Sequence, residues 1–479
     1  MKPFARKSVA VLQGDRSAET RLSREIGFFA LVCFGVGSTV GAGIFILTGT
    51  VAAQHTGPAV TIAFLIASLV CLLAGLCYAE LSAMMPVAGS AYSYCQASMG
   101  EGAAWIVGWC LMLEYLFAGA LIAIGWSAYV QSVLHDLGYS IPAIIAQSPF
   151  KLSDDGALVA SGAIIDLPAF ALTLLCTALL LRGTGFSARV NNMIVIAKIA
   201  AMLIVVAAGF AYVHVDNWRP YIPANDGTFG HFGWSGVMQG AAILFFAYVG
   251  FDAVSTLAQE VRDPQRTVPR ALLASVGVTT CLYVLVGLVI TGLVHYRKLN
   301  VADPIYVAIR SVGSGLAWTK PMIGFVAIAG LISVLLVTLL GQVRIFYSMG
   351  RDGLLPAAFT RTDGDAHIPR VGTIFTGVVG AVAAGILPLS LLGELISMGT
   401  LLAFAMVALS VIILRHREPD APRPFRAPLS PWLPLLSIAA SLYLMWSLPL
   451  TTWIWLLIWL AAGIATYLAL GWARGCATG

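Results

Sequence analysis

The sequence is 479 residues long, with 59% hydrophobic residues, 10% charged residues and a mean hydropathy of +0.89. This composition excludes a soluble globular protein of ordinary make-up and indicates a polytopic membrane protein. The formal net charge of +5 follows from the loop charges described below, so it gives no reason to expect a nucleic-acid partner.

The first 25 residues form a polar segment that we predict to be a cytoplasmic N-terminal tail. The segment carries six Lys and Arg residues and has no apolar core before Ile26, so we expect no cleavable secretory signal peptide. The first apolar run then acts as its own insertion signal.

Twelve apolar runs are long enough to cross a bilayer as helices. They cover residues 26–53, 58–85, 102–133, 166–182, 190–213, 234–260, 269–294, 317–348, 371–389, 393–415, 431–449 and 452–473. An even number places both termini on one side. With the tail inside, 20 Lys and Arg residues lie on the inner side, 6 on the outer side and one, Lys198, inside a span. The positive-inside rule therefore predicts cytoplasmic N and C termini, although four of the six outer charges cluster in the loop 295–320.

The first span contains a stretch from Gly35 to Gly43 in which four of nine residues are glycine. Glycine is a poor helix former, so the stretch predicts a helix break, and broken backbone in a membrane persists only where it lines a cavity or a ligand. The helix that restarts near Ile44 would point its positive N-terminus at that cavity, which favours a carboxylate. The alternative is close helix packing through Gly37-x-x-x-Gly41.

The sixth span, residues 234–260, predicts a second break around its acidic residue Asp252. It lies five spans after the first, as expected if 26–213 and 234–415 are inverted repeats followed by two further helices at 431–473. The two broken helices would then face each other, one offering amides to a carboxylate and the other carbonyls to an ammonium. A zwitterionic α-amino acid fits both. Asp252 itself discriminates little, because a helix N-terminus stabilises any single acid.

The eight cysteines show no metal-ligand spacing and six lie inside predicted spans, so we predict neither a disulfide nor a metal site. There is no Walker motif and no recognisable haem or quinone site, so we expect no cofactor and no direct use of ATP. We also expect no catalytic residues. A membrane receptor or membrane enzyme is the remote alternative, but the sequence lacks the catalytic acids or His clusters that such enzymes usually expose.

Several long motifs resemble those of bacterial cationic amino acid transporters, a branch of the amino acid–polyamine–organocation superfamily. They are Gly-Ser-Thr-Val-Gly-Ala-Gly-Ile-Phe (37–45), Pro-Val-Ala-Gly-Ser-Ala-Tyr (86–92), Phe-Phe-Ala-Tyr-Val-Gly-Phe-Asp-Ala-Val-Ser-Thr (245–256), Gln-Glu-Val-Arg-Asp-Pro-Gln-Arg (259–266) and Met-Gly-Arg-Asp-Gly-Leu-Leu-Pro (349–356). The resemblance covers about residues 25–430. One departure is Gln259, where the family pattern has a second acid before Glu260.

The resemblance implies an all-α fold with 12 transmembrane helices, arranged as a LeuT-like five-plus-five inverted repeat with broken helices 1 and 6 plus helices 11 and 12. It implies a secondary active amino acid permease of the bacterial inner (cytoplasmic) membrane that works by alternating access, with an α-amino acid and protons as partners in transport. The nearer alternative is an exchanger of amino acids or polyamines on the same fold. The sequence leaves open which amino acid is carried, the oligomeric state and whether a small single-span protein attaches.

By the same resemblance, backbone groups in the two breaks bind the head group of the amino acid. The carboxylate site falls on Ser38, Thr39, Gly41, Ala42 and Gly43, and the ammonium site on the carbonyls of Phe246, Ala247 and Val249. The choice of side chain then depends on spans 3 and 8, where the candidates are Ser333 and Leu335.

Ionisable residues are rare inside the spans, where a charge costs about 2.5 to 3.5 kcal/mol. Lys198 ends a segment, Asn-Asn-Met-Ile-Val-Ile-Ala-Lys, that resembles the span-5 lysine segment of proton-coupled family members, which implies that desolvation lets it release a proton during transport. The alternative is snorkelling to the inner face, about 12 Å away. For Glu114 the alternatives are a neutral acid bonded between helices and a role in proton transfer or substrate selectivity. We expect Glu80 to be structural, paired in a gate with a partner that the sequence does not name.

Overall fold

The computed structural model describes residues 27–85, 90–152, 158–183, 188–252, 254, 261, 263–363 and 368–478. The predicted N-terminal tail and the loop residues Gln259 and Glu260 lie outside the described residues, as do the first four residues of the 86–92 motif.

Most of the described chain is helical. The first half contains α1 (Phe28–Thr39), α2 (Thr48–Val51), α3 (Val60–Met84), α4 (Ser90–Ser98), α5 (Glu101–Asp136), α6 (Leu167–Leu181) and α7 (Ala188–Phe210). The second half contains α8 (Gly233–Leu244), α9 (Pro264–Leu293), α10 (Pro304–Val312), α11 (Lys320–Arg351), α12 (Arg370–Ile386), α13 (Leu389–Arg417), α14 (Trp432–Trp446) and α15 (Leu450–Thr478). Two short antiparallel hairpins lie in loops, β1 (Phe150–Leu152) with β2 (Leu158–Ala160) and β3 (Thr362–Asp363) with β4 (Ile368–Pro369).

Within the described residues, seven helical stretches are long and apolar enough to cross a membrane. They are Gly43–Met84, Glu101–Asp136, Met193–Phe210, Gln265–Leu293, Ala317–Arg351, Leu389–Arg417 and Leu450–Gly471. Four shorter apolar helices accompany them, namely α1, α6, α12 and α14. The structure thus agrees with a polytopic membrane protein, whereas the number of twelve membrane spans stays a prediction.

The helices are apolar on more than one face, which is the pattern expected when one face packs on protein and another on hydrocarbon. In α15, Leu457 and Ile458 are more than half exposed while Leu456 is buried. Indole N–H groups fix the buried side of this helix: Trp109 donates to Trp459 O at 2.7 Å and Trp459 donates to Trp109 O at 3.0 Å. These reciprocal bonds hold α15 against α5.

The helices pack around one large apolar core, and Leu113, Leu391 and Leu395 form a second, small cluster. The closest neighbours include α3 with α9, α5 with both α11 and α13, and α6 with α12. An aromatic cluster lies in its middle, where Tyr78, Phe251 and Phe404 make edge-to-face contacts with ring centroids 5.1 to 6.0 Å apart. Such pairs stabilise a core beyond the area that they bury.

At one end of the bundle, which we call the Glu80 face, a buried carboxylate joins α3 to α13. Glu80 Oε1 accepts from Arg415 Nε at 2.9 Å, and Glu80 Oε2 accepts from Arg415 Nη2 at 2.5 Å and from the Ala427 N–H at 2.7 Å. Arg423 Nε lies 3.6 Å from Glu80 Oε1. The structure thereby identifies the partners that the sequence did not name.

The opposite end is covered by residues 295–319, between α9 and α11, which we call the lid segment. It contains α10 and lies directly on α2, because a Cβ atom added at Gly49 would be only 2.2 Å from Pro304 Cβ and 2.5 Å from Leu299 O. A side chain at position 49 would therefore push the lid segment away.

Candidate functional site

The predicted break in the first span is confirmed. Helix α1 ends at Thr39, and Val40 turns out of helical geometry with φ −73° and ψ 88°. The chain restarts as a π-helical turn, Gly43–Leu47, and the Phe45 N–H donates to Gly41 O at 3.2 Å. The first amides of a helix have no partner within it and carry its positive dipole end, so the restart offers a place for an anion.

The predicted break in the sixth span is also confirmed. Helix α8 ends at Leu244 and continues as a single 3₁₀ turn, Phe245–Tyr248. Val249 then becomes extended, with φ −57° and ψ 137°, and Gly250 adopts φ +106°. Because this φ is unfavourable for residues with a Cβ atom, Gly250 is what allows the chain to reverse here.

The two breaks touch each other through their backbones. A Cβ atom at Gly43 would lie 2.2 Å from Ala247 Cβ and 2.4 Å from Ala247 Cα. Next to this contact, Ser38 Oγ donates to Gly250 O at 2.9 Å. Glycine is needed at position 43 because no side chain fits between the two segments.

The packing alternative for the glycines is therefore right at some positions. A Cβ atom at Gly37 would lie 2.3 Å from Val195 Cγ2 of α7, so Gly37, like Gly43, allows close approach. Gly41 differs, since a Cβ atom there would meet the Val334 side chain at 3.1 Å while the residue itself borders a cavity. The stretch thus serves both packing and the opening of the backbone.

Tyr283, on α9, bridges the two breaks. Its hydroxyl lies 2.8 Å from Thr39 O and 2.8 Å from Ala247 O, and it is fully buried. The phenol has one proton, so it donates to one of these two carbonyls at a time or is shared between them, and in either case it ties the ends of the two broken helices together. The sequence analysis did not find Tyr283, because a tyrosine in the middle of an apolar span has no distinctive spacing.

A cavity lies between the two breaks, α5 and α11. Its lining from the breaks is Ser38, Thr39, Gly41, Ala42, Gly43, Phe246, Val249 and Gly250. The lining from the two long helices is Glu114, Tyr115, Ala118, Ile122, Val334, Val337 and Thr338. All five residues predicted for the carboxylate site border this space, as do two of the three predicted for the ammonium site.

Three predicted residues lie beside the cavity rather than in its lining. Ala247 directs its carbonyl to the Tyr283 hydroxyl. Ser333 and Leu335 are buried on α11, but their neighbour Val334 borders the cavity in their place. The lining that the sequence analysis missed is apolar apart from Tyr115 and Thr338, which suits a ligand whose side chain is mostly apolar.

Lys198, on α7, reaches the end of α1 and does not snorkel. Its side chain is only 1% exposed, and Nζ donates to Val40 O at 2.9 Å and to Gly37 O at 3.1 Å. Gly330 of α11 makes room for this side chain, since a Cβ atom there would be 2.6 Å from Lys198 Cδ. The Lys198 ammonium thus donates hydrogen bonds to two backbone carbonyls at the end of α1, where the helix breaks.

Glu114 borders the cavity from α5. Its carboxyl group is buried, Oε2 accepts from Thr400 Oγ1 at 2.9 Å, and Oε1 has no hydrogen-bond partner among the described residues. Asp252 lies close enough to act on it electrostatically. An unpaired carboxyl oxygen beside a cavity can bind a proton or accept a hydrogen bond from a bound molecule.

Among the described residues, no three His, Cys, Asp or Glu side chains are grouped so that they could hold a metal ion. The polar residues and groups in the cavity lining are instead helix amides, carbonyls, one carboxyl group and the hydroxyl-bearing residues Ser38, Thr39, Tyr115 and Thr338.

Comparison with known proteins gives consistent matches over nearly the whole chain. The amino acid permease family model matches residues 26–472. The chain is 41% identical to the methylthioribose transporter of Bacillus subtilis over 97% of this chain and 96% of that protein, and 38% identical to the branched-chain amino acid permease BcaP of the same organism over the same shares. It is 37% identical to the vacuolar cationic amino acid transporter 4 of Arabidopsis thaliana, over 86% of this chain and 66% of that protein.

Proposed function

The chain belongs to the amino acid permease family, and we propose that it is a proton-coupled symporter of α-amino acids that works by alternating access. Its family and relatives make it a transporter rather than an enzyme. The proposal adds that protons and substrate move in the same direction, that the α-amino and α-carboxyl groups of the substrate are recognised, and which residues bind the substrate and the proton.

The contact between the two broken helices is the observation that carries this proposal. On one side of the cavity the amides at Ala42 and Gly43 begin a helix, and on the other side the carbonyls of Phe246 and Val249 lie at the end of one. A carboxylate is favoured at the first and an ammonium at the second. An α-amino acid carries both groups on one carbon atom, so it can bridge the two breaks.

The proposed architecture is the LeuT-like five-plus-five repeat, with helices 11 and 12 added and 12 membrane spans in total. Two helix breaks that meet near the middle of the bundle support this arrangement. We propose that the Glu80 face is cytoplasmic, in a bacterial inner membrane, because the positive-inside rule favours that orientation for the arginine-bearing loops. Both termini then lie in the cytoplasm.

Proton coupling is assigned to Lys198 and Glu114. Lys198 holds Gly37 O and Val40 O, so loss of its proton would remove the charge that fixes the end of α1. That end could then tilt away from α7, which is the kind of movement that alternating access requires. Glu114 offers its unpaired Oε1 at the cavity as a second place for a proton.

The test is uptake of labelled amino acid into proteoliposomes made with purified protein. An inward proton gradient should drive uptake in the wild type and sodium should have no effect. Lys198→Ala should lower gradient-driven uptake more than tenfold while counterflow exchange persists, because the head-group site does not contain Lys198. Lys298→Ala, at an exposed lysine, is the matched control and should behave as wild type. Strict dependence on sodium, or full concentrative uptake by Lys198→Ala, would contradict the assignment.

An exchanger on the same fold is the second candidate. A different alternative concerns the substrate: the 41% identity to a methylthioribose transporter favours a substrate without an amino acid head group. The same proteoliposomes distinguish both alternatives from a proton-coupled amino acid symporter. Exchange without gradient-driven uptake would favour the exchanger. Competition by a methylthio sugar, which has neither an α-amino nor an α-carboxyl group, would show that the two breaks do not select the zwitterion.

A further inference from the structure

The lid segment holds a buried acid that the proposed transport cycle does not use. Asp303 stands immediately before α10 and is 6% exposed. Its Oδ2 accepts a hydrogen bond from Ser132 Oγ on α5. Within the described part of the chain no Lys or Arg forms an ion pair with Asp303, and Arg310 acts on it only at longer range.

Burial without a cation has a measurable consequence. The apolar surroundings raise the pKa of Asp303 from 3.8 to about 6, against the opposing effect of the Ser132 hydrogen bond. The seated lid segment therefore binds this proton more tightly than a solvated aspartate would.

The surroundings of Asp303 contain few other ionisable groups. Arg310 and Tyr306 in the lid segment and Tyr129 on α5 interact with it electrostatically, and Asp136 and Lys320 are linked to it through Tyr306. The same elements also carry His295, Tyr296, Arg297 and Lys298 in the lid segment and His135 at the end of α5. Tyr129 is engaged with the half-helix that follows the first break, since its hydroxyl donates to Phe45 O at 2.9 Å. Asp303 is therefore buried at the junction of the lid segment, α5 and the half-helix that follows the first break.

A second acid nearby provides an internal contrast. Asp136 accepts from the Tyr306 hydroxyl at 2.6 Å and from Lys320 Nζ at 3.2 Å, and its side chain is 25% exposed. Its charge is balanced by an ammonium and by solvent. Both acids attach the lid segment to α5, but only Asp303 is buried without a cation.

We propose that Asp303 is a further proton-binding site, distinct from Lys198 and Glu114 and occupied when the lid segment seats on α2 and α5, so that closure at this end of the bundle takes up one proton. The placement of this end outside the cell rests on the proposed function. In that orientation an acidic exterior favours closure over the cavity. The reaction is simple: the Asp303 carboxylate takes one proton from water, no other bond changes, and the proton returns to water when the lid segment lifts.

The size of the effect follows from linkage. A group with a pKa of about 6 when seated and 3.8 when solvated stabilises the seated form fully below pH 3.8 and not at all above about pH 7. Between pH 8 and pH 5 the ratio of seated to lifted molecules should therefore rise about tenfold.

The experiment measures the distance between spin labels on the purified full-length protein by pulsed electron paramagnetic resonance. The labels are placed at Leu137 and Ser314, both exposed, after Cys33, Cys281 and Cys476 are replaced by alanine. The ratio of seated to lifted molecules should increase about tenfold from pH 8 to pH 5. Asp303→Asn should remove this pH dependence, whereas Asp136→Asn should lower the seated fraction at every pH and keep its slope.

Ser132→Ala supplies a second test that does not alter the acid. Loss of the hydroxyl removes a donor to the carboxylate, so the midpoint of the transition should move to higher pH. A seated fraction that is the same at pH 5 and pH 8 in the wild type, or a slope that survives in Asp303→Asn, would overturn the proposal. Since the measurement needs no transport, a failure of proton-driven uptake with an intact pH response would refute the proposed function alone.

Discussion

The two ends of the bundle use a buried carboxylate in opposite ways. At the Glu80 face, Glu80 is 1% exposed and receives N–H donors from Arg415 and from Ala427, with Arg423 adjacent. At the other end, Asp303 is 6% exposed and accepts a hydrogen bond from the Ser132 hydroxyl. The first carboxylate has its charge neutralised by arginine, and the second does not.

This difference determines which end of the bundle responds to pH. At the Glu80 face the carboxylate and the Arg415 guanidinium are joined by two hydrogen bonds, so their charges neutralise each other. Asp303 forms no ion pair within the described residues, and burial raises its pKa from 3.8 to about 6, so it changes charge between pH 5 and pH 8. One end is thus a constant clamp, and the other is a contact whose strength depends on the proton concentration.

The largest effect should come from breaking the clamp. Glu80→Gln keeps the shape of the side chain but leaves the Arg415 guanidinium without its counter-ion. Removal of one partner of a buried ion pair costs about 3 to 5 kcal/mol, so the melting temperature in detergent should fall steeply and by the same amount at pH 5 and pH 8. Thermal unfolding at the two pH values measures it.

Arg426→Ala is the control for this change, because Arg426 is an exposed arginine next to Ala427 in the segment between α13 and α14. It should change the free energy of unfolding by no more than about 0.5 kcal/mol, as surface substitutions usually do, so the melting temperature should stay close to that of the wild type. A Glu80→Gln penalty that disappears at pH 5 would show that the Glu80 face also titrates, and the contrast between the two ends would be lost.

A smaller effect is expected at the lid segment from Tyr306→Phe. The change removes the hydroxyl that donates to Asp136 at 2.6 Å. A hydrogen bond to a charged group is worth about 1.5 to 3 kcal/mol, and the partial exposure of Asp136 favours the lower value, so the seated fraction should fall about tenfold as a ratio. Spin-label distances check this at pH 5 and pH 8, where the loss should be equal. Tyr139→Phe, at an exposed tyrosine, should change nothing, and a loss confined to one pH would contradict the assignment.

The smallest effect should come from Lys320→Ala. The ammonium lies 3.2 Å from Asp136 Oδ2, and both side chains are partly exposed. Ion pairs of this kind contribute at most about 1 kcal/mol and are screened by salt. The seated fraction should therefore fall less than fivefold as a ratio in low salt and not at all in 1 M salt. An effect that persists in high salt would mean that Lys320 acts through packing.

The sequence indicated both helix breaks for a simple reason. Glycine density in an apolar run is a local signal, and Gly41 and Gly250 lie where the backbone leaves the helix. The buried lysine was equally visible, because any charge in such a run must have a purpose. What the sequence could not supply was the partner of each group: Lys198 bonds to Val40 O, 158 residues away, and Glu80 pairs with Arg415, 335 residues away.

The lining from α11 shows why side chains around the cavity were harder to predict. The resemblance points to Ser333 and Leu335, whereas the structure places their neighbour Val334 in the cavity lining. Successive residues on a helix point about 100° apart, so an error of one position turns a side chain from the cavity into the core. Helix rotation depends on packing against α5, and a single sequence does not encode that in any short pattern.

The meeting of Gly43 with Ala247 has a mechanical consequence. Where side chains separate two helices, changes of rotamer can absorb a small displacement. Here backbone rests on backbone, and a Cβ atom at position 43 would be 2.4 Å from Ala247 Cα, so no deformable material lies between the segments. Closely packed atoms are nearly incompressible and transmit strain. The contact should therefore act as a fulcrum: when one broken helix tilts, the other must roll or slide with it, and the two halves of the chain can change shape only in step.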